Sequence, residues 1–493
     1  MTNYALSTKA NFQRDLLAIT LDPTATGSLQ SQLTAALKGI VSSLPNSAGE
    51  RLPASRMLAE ELSISRTTVQ AAYDQLISEG IFAARQGSGT FIADEINHLI
   101  KPLPQVKRRA EPPAPTPWRP FQTGLPDHSL MPHKLWAQHL ERAWRDPDPA
   151  LLASPDLLGW YPLREAIADH LEAWRGLACD PEQVVITSGA REALELVFDG
   201  LLGAGQHVAI EDPCWPKLRA VLEDTGSLAH PVKIDGEGFD ASAIPQDAQA
   251  VVVSPSRHYP TGVSLPLPRR LSLLAWAKHR QGLVIEDDYD SEFRYRGQPL
   301  PSLSGLDGLR HTIYLGSFSK LISPTLRIGY FVVKHAYLPQ IRDHFSRVGA
   351  RASLVPQPAL AAFMQSGDYA THLRRMRRTY GRRQRHLLAA LAPVSDLLSL
   401  QAEPSGMHLC LSLQRKLAEK TTDIALSDLA RQAGLRVDAL STLNVSQNGQ
   451  QGLLLGYAGF DEETLTTAAG VLVNLLRSAI NDSSRHENSN PLP

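Results

Sequence analysis

The chain has 493 residues, 43% of them hydrophobic and 20% charged, with a net charge of −1. That length fits two or three domains with sizeable cores, and the near-neutral balance excludes a large basic nucleic-acid coat while leaving room for a local DNA-reading patch. Cys179, Cys214 and Cys410 lack metal-ligand spacing and are too few for a disulfide framework, so no metal is expected; with no apolar stretch of signal-peptide or bilayer length, the expected location is the cytoplasm.

In residues 27–42, Leu29, Leu33, Leu37, Ile40 and Val41 recur at helical spacing and predict an amphipathic helix. A short second helix is expected over Arg56–Leu62 with Ser55 as its N-cap. A third is expected over Arg66–Glu79, with Val69, Tyr73, Leu76 and Ile77 as its buried stripe and Gly80 as its stop. Two helices joined by so short a turn make a helix-turn-helix, whose second helix leads into the major groove with its N-terminal residues. Those are Ser65, Arg66, Thr67, Thr68 and Gln70, all polar. IFAARQGSGTFIAD (81–94) reads as a hairpin turning at Gln86 to Gly89, a wing that can lay Arg85 against phosphate. A plain three-helix bundle with a solvated face competes with this reading, because basic and acidic residues are equally numerous over residues 1–93.

The prolines at 102, 104, 112, 113, 115, 117 and 120 exclude regular helix or central strand and mark residues 94–119 as a linker. Over 120–480, the runs VVIT (184–187), HVAI (207–210), AVVV (250–253), LVIE (283–286), TIYL (312–315) and IGYFVV (328–333) alternate with helical patterns. That is the rhythm of an α/β domain with a doubly wound, mostly parallel sheet. The polar stretch NDSSRHENSNPLP (481–493) predicts a disordered tail.

Several strand ends carry residues suited to an aldehyde cofactor such as pyridoxal 5'-phosphate. Such a group needs an amine, a carboxylate beside the pyridine nitrogen, an aromatic plate and phosphate donors. In GSFSKLISPTLRIGY (316–330), Lys320 is the candidate imine (Schiff base) lysine, with Ser317 and Arg327 for the phosphate. TSGAREALEL (187–196) offers amides around Ser188, Gly189 and Ala190 at a helix start. Trp215 in EDPCWPKL is the stacking candidate. In IEDDYDSEF, Asp287 can pair with the pyridine nitrogen and Tyr289 with the phenolic oxygen. Taken singly, each has a bland competitor: a solvated loop lysine, a glycine turn, a core aromatic, solvated carboxylates.

LPASRMLAEELSISRTTVQAAYDQLISEGIFAARQGSGTFIA (52–93) resembles the winged helix-turn-helix domain of the GntR family. The resemblance implies DNA contacts by Arg56, Ser65, Arg66, Thr67, Thr68, Gln70 and a wing carrying Arg85, Gly87 and Gly89. Residues 120–480 resemble the fold type I aminotransferases, with SFSKLISPTLRIGY the most diagnostic piece and YPTG (259–262), which contributes Tyr259 to the cofactor site, another landmark. This implies a large sheet domain, a small C-terminal α/β domain and pyridoxal phosphate. The combination resembles the MocR group of bacterial transcriptional regulators. It implies a head-to-tail homodimer that binds double-stranded operator DNA and senses pyridoxal phosphate or an amine or amino-acid effector. A true aminotransferase with an appended DNA-binding arm is the alternative.

Three departures bear on that choice. Where aminotransferases carry a carboxylate-binding arginine in a late strand, LLGYA (454–458) has Leu454, which disfavours ordinary transamination. PSRHYPTG (255–262) places Arg257 and His258 where related regulators have a neutral pair, either to meet an anionic effector or to alter hydrogen bonding at the ring. Ser154 stands where many relatives bring a tyrosine to the phosphate. The arginine-rich HLRRMRRTYGRRQR (372–385) reads either as a solvated helix or as a second DNA-tracking surface.

Overall fold

The computed structural model describes residues 15–25, 27–43, 47–94, 96, 118–153, 156–298, 300–446 and 449–487. Two compact units divide between Thr116 and Pro117. Most of the proline-rich linker, 97–117, lies outside the described residues, as does Ser154.

In the first unit, α1 (Leu29–Ser43) buries Leu33, Leu37 and Val41 against α3 (Arg66–Ser78), which buries Val69, Ala72, Tyr73 and Leu76. Ile77, expected in that stripe, is half-buried at its edge. Between them, α2 (Ser55–Glu61) contributes Leu58 and Ala59. Ser55 is the first residue of α2 and not its cap: Ala54 holds that position, and no side chain bonds the first amides. Ala54 is exposed, so water can serve those amides. At α3 the cap is Ser65, which the sequence reading marks only as a DNA-contacting residue: its hydroxyl accepts from the Thr68 amide at 3.1 Å. Gly80 follows the helix at φ +74°, the left-handed conformation glycine adopts without penalty. β1 (Phe82–Arg85) and β2 (Gly89–Ile92) pair antiparallel, with Arg85 opposite Gly89.

The second unit is built on a seven-stranded sheet. Its strands are β3 (Val184–Thr187), β4 (His207–Asp212), β5 (Leu228–Lys233), β6 (Ala250–Val253), β7 (Leu283–Asp288), β8 (Thr312–Ser317) and β9 (Gly329–Val332). They lie in the order β3-β9-β8-β7-β6-β4-β5, with β9 antiparallel to both neighbours and the remaining pairs parallel. Every apolar run noted in the sequence supplies a strand. The seventh, LAHPVK, is an edge strand with only Val232 fully buried, and there Pro231 costs no ladder bond on its open side. Packed around the sheet are α4 (Tyr161–Arg175), α5 (Ala190–Glu195), which runs on as a π-helix to Leu202, α6 (Pro216–Asp224) and α7 (Leu267–Arg280).

A long helix, α8 (Asp368–Ala390), leads to a small antiparallel sheet ordered β10 (His408–Ser412), β12 (Gly452–Gly456), β11 (Asp438–Ala439). The closing helix α9 (Glu462–Glu487) corrects the expected tail: it carries 481–487 as helix, since NDSSRHE has no proline or glycine to stop it. Residues 488–493 lie outside the described residues. The parallel strands β4, β6, β7 and β8 all end on one edge of the large sheet, and that edge carries the site.

Candidate functional site

A cleft of about 600 Å³ opens at the carboxyl ends of these strands. It gathers all ten residues expected to hold a cofactor: Ser188, Gly189, Ala190, Trp215, Tyr259, Asp287, Tyr289, Ser317, Lys320 and Arg327. Their convergence follows from topology, because β4, β7 and β8 deliver Trp215, Asp287 and Ser317 at or near their carboxyl ends. The β3 turn adds the Ser188–Ala190 backbone.

Lys320 follows β8 and reaches across to donate from Nζ to the Gly124 carbonyl at 2.9 Å. Burial and the nearby Lys217 lower its pKa, and Asp290 opposes them, so its amine stands closer to the neutral, nucleophilic form than a solvated lysine. Gly124, at φ +74°, is required there: a Cβ would lie 2.5 Å from that nitrogen. The sequence reading missed Thr123 and Gly124, and it also missed His408 from β10, which lines the cleft beside the Tyr259 ring. No local motif marks these residues; the fold brings them in from distant segments.

Asp287 is the feature that best tests a pyridine ligand. Its carboxyl faces the cleft and takes no hydrogen bond among the described residues, and burial with Asp288 beside it pushes its pKa up to about 7. A carboxyl so placed fits a protonated ring nitrogen. Behind it, Glu211 is pushed up to about 8 by burial, with Asp287 adding to the shift, and it accepts from the Ser254 amide at 3.0 Å. Trp215 gives an aromatic wall. Ser317 and Arg327 stand with the Ser188–Ala190 turn, although the Ser188 amide here donates to Glu192 Oε2 at 2.5 Å. Taken together, the donor set fits pyridoxal phosphate.

The two residues that replace a neutral pair have different environments. Arg257 is fully buried; its guanidinium donates to Glu403 at 2.5 Å, to the His408 carbonyl at 2.8 Å and to the Tyr289 hydroxyl at 2.9 Å, with Asp290 at 3.3 Å. It is thus tied behind the cleft wall and orients Tyr289. His258 is held neutral, its pKa lowered to about 3 by burial. Its Nε2 donates to the Pro213 carbonyl at 3.0 Å, and its Nδ1 accepts from the Thr261 hydroxyl at 2.7 Å. Of the two readings left open by the sequence, the geometry favours hydrogen bonding around the ring over direct capture of an anion.

Leu454 sits in the middle of β12, fully buried opposite Cys410. On α8 the arginines divide. Arg383 is buried against Asp127 at 2.7 Å, Arg377 lies 4.0 Å over the Trp174 ring, and Arg374, Arg375, Arg378, Arg382 and Arg385 are exposed.

In the first unit, Arg56, Arg66, Thr67 and Gln70 are exposed along α2 and the start of α3, and Arg85, Gly87 and Gly89 are exposed on the hairpin. Ser65 and Thr68 are turned toward each other in the cap, their hydroxyls 2.8 Å apart. Arg85 pairs with Asp94 at 3.0 Å and lies 4.6 Å over the Phe91 ring. Arg51, which the sequence reading passed over, is exposed and packs its guanidinium against Gly89 of the wing.

Residues 127–472 match the family described as aminotransferase class I and II, and residues 29–92 match the bacterial regulatory proteins of the gntR family. The chain is 35% identical over 451 residues to the HTH-type pyridoxine biosynthesis transcriptional regulator PdxR of Corynebacterium glutamicum, spanning 91% of this chain and 96% of that one. It is 33% identical over 482 residues to the probable rhizopine catabolism regulatory protein MocR of Rhizobium meliloti, spanning 94% and 95%. Among solved structures, the α-aminoadipate aminotransferase LysN of Thermus thermophilus, complexed with N-(5'-phosphopyridoxyl)-L-leucine, superposes with a TM-score of 0.66. That likeness has 28% identity and covers 73% of this chain and 92% of that chain. The chain therefore belongs to the MocR and PdxR type of GntR-family transcriptional regulators, in which a helix-turn-helix domain precedes an aminotransferase class I and II domain.

Proposed function

We propose that the aminotransferase-like unit holds pyridoxal phosphate at Lys320 and reports the state of that site, or of an amine or amino acid reaching it, to the DNA-binding unit. When bound, pyridoxal phosphate supplies an aldehyde that condenses with amines and a ring that withdraws electrons. Lys320 offers the amine that holds it, Asp287 keeps a proton at the ring nitrogen, and Trp215 stacks on the ring. Tyr289 and Tyr259 bond at the phenolic edge, and Ser188, Gly189, Ala190, Ser317 and Arg327 take the phosphate. The observation that carries the reading is the meeting of a half-buried amine and a half-buried carboxyl without a hydrogen-bond partner in one cleft, among the described residues. With Leu454 in β12 in place of a carboxylate-binding arginine, sensing is favoured over turnover.

On the other unit, Arg56, Arg66, Thr67, Gln70 and Arg85 contact operator DNA, with Ser65 and Thr68 fixing the start of the reading helix and Gly87 and Gly89 shaping the wing. The active form is a head-to-tail homodimer in the cytoplasm, so two reading helices meet two half-sites. An effector acts by favouring one of two arrangements of the dimer, which requires different affinity for each. The deciding experiment reduces the protein with borohydride after adding pyridoxal phosphate and maps the modified peptide. Modification at Lys320 supports the reading; a wild-type protein showing no visible band and no modified peptide removes it.

A further inference from the structure

The opposite end of the same parallel strands carries a second cluster of chemistry-bearing side chains. His207 is the first residue of β4, His230 lies on the edge strand β5, and Asp247 sits in the turn before β6. Among the described residues they form the one group of three whose possible ligand atoms all lie within 4.8 Å of one another. His207 Nδ1 stands 2.8 Å from His230 Nε2 and 2.7 Å from Asp247 Oδ2, and the two imidazoles stack at 4.8 Å. A single ring nitrogen therefore faces both partners. One proton on it can lie along only one of these two short lines, whereas a cation at the point of convergence draws on both nitrogens and the carboxylate together.

The backbone holds the three in place. The His207 amide donates to Gln249 Oε1 at 2.7 Å, and the Gln249 amide returns to the His207 carbonyl at 2.9 Å, which fixes the turn carrying Asp247. The parallel register sets His230 beside Ala209, so it stands on the same face as His207, two residues along the neighbouring strand. The cluster is half-buried, with Asp247 exposed, leaving room for solvent ligands. Because β4 leads from His207 to Glu211 at the cleft, this site is separate from the cofactor site, about 13 Å along the strand by the usual rise per residue.

We propose that His207, His230 and Asp247 bind a divalent transition metal of the zinc class, with water completing the coordination. Two imidazoles and one carboxylate suit zinc and its neighbours and are a poor set for magnesium or calcium. Opening the two short contacts from 2.7 and 2.8 Å to the roughly 3.3 Å that separates atoms bound to zinc at about 2.0–2.2 Å needs side-chain movements of about half an ångström. The bound metal links two strands and a turn that meet only in the folded chain, so the melting temperature rises with the free metal concentration once that exceeds the dissociation constant.

The test uses the full chain, freed of any purification tag, titrated with zinc chloride against a chromogenic chelator. Wild type is expected to take up one equivalent per chain that is lost in the His207→Asn/His230→Asn double variant, and its melting temperature is expected to rise with zinc. Asp247→Asn should weaken uptake by at least about tenfold, the loss that removing even a group supporting a ligand causes. The double variant's fold is checked by its far-ultraviolet dichroism and by its uptake of pyridoxal phosphate. Equal zinc uptake by wild type and double variant overturns the proposal, because any binding then resides elsewhere on the chain.

Discussion

The cleft and the reading face of the winged helix place polar groups in opposite physical settings. At the cleft, Lys320 and Asp287 are partly enclosed and Arg257 is buried behind the wall; the lysine and the arginine are held by groups far away in sequence, Gly124, Glu403 and His408, and the aspartate is shifted by burial and Asp288. On the reading face, Arg66, Thr67 and Gln70 are exposed, and the hydrogen bonds of Thr67 and Gln70 reach no further than the next turn. Charges with shifted properties suit covalent and proton chemistry, while exposed, lightly held ones are free to meet phosphates and base edges. The comparison predicts that cleft variants act on cofactor and stability, and reading-face variants on DNA alone.

The largest effect is expected at Lys320. Lys320→Ala should abolish borohydride-trapped pyridoxal phosphate and any effector response while leaving basal operator binding, measured by gel shift; a response of wild-type size in this variant would end the sensing mechanism. Next comes Arg257→Gln, which leaves Glu403 and Asp290 without their buried cation. Such a loss costs about 3–5 kcal/mol, read by urea unfolding of the effector unit.

Two carboxyls of the cleft, Asp287 and Glu211, also fix a pH dependence. Asp287 at about 7 and Glu211 at about 8 bind protons more tightly in the folded cleft than in the unfolded chain. Their contribution is complete below the unfolded carboxylate range and is lost as pH rises through 7 and 8. His258, held neutral at about 3, works the other way below its ordinary value of 6.5. Between pH 6.5 and 8 the acids dominate, so the cofactor-free protein should lose stability as pH rises through that window. Asp287→Asn should flatten the slope by about 0.7 kcal/mol per pH unit near pH 7, where half of that carboxyl holds a proton, measured by denaturation at several pH values.

Much of this was legible in the sequence because the marks are local. The strand runs and the polar start of α3 can be read from a few neighbouring letters, and the ten cleft residues, ambiguous singly, become legible from the order of the short stretches that carry them. What escaped depended on context. The edge strand LAHPVK looks like a loop because one face is solvated and Pro231 interrupts it; its role comes from pairing with β4. Gly124 is unremarkable until Lys320, far along the chain, is seen against it. Arg257 gave two readings because its partners, Tyr289 in one segment and Glu403 and His408 in another, lie far away along the chain. Helix ends shifted where water can serve the amides, as at Ala54, or where no breaker residue intervenes, as in α9.

Reading-face variants sharpen the other side of the comparison. Arg66→Ala should cost about 1–3 kcal/mol of operator affinity and leave pyridoxal phosphate uptake at Lys320 unchanged, by gel shift and borohydride trapping on the same preparation.

Arg85 should give the smallest effect and the most specific one. It is exposed on the wing, paired with Asp94 and stacked over Phe91. An exposed pair of this kind contributes at most about 1 kcal/mol, so Arg85→Ala should leave folding of the first unit nearly unchanged. If Arg85 leaves Asp94 for a phosphate, the variant should weaken binding to all sequences alike and reduce the salt slope of binding by about one. A change confined to particular operator bases would instead put Arg85 in the minor groove, where the wing reads sequence.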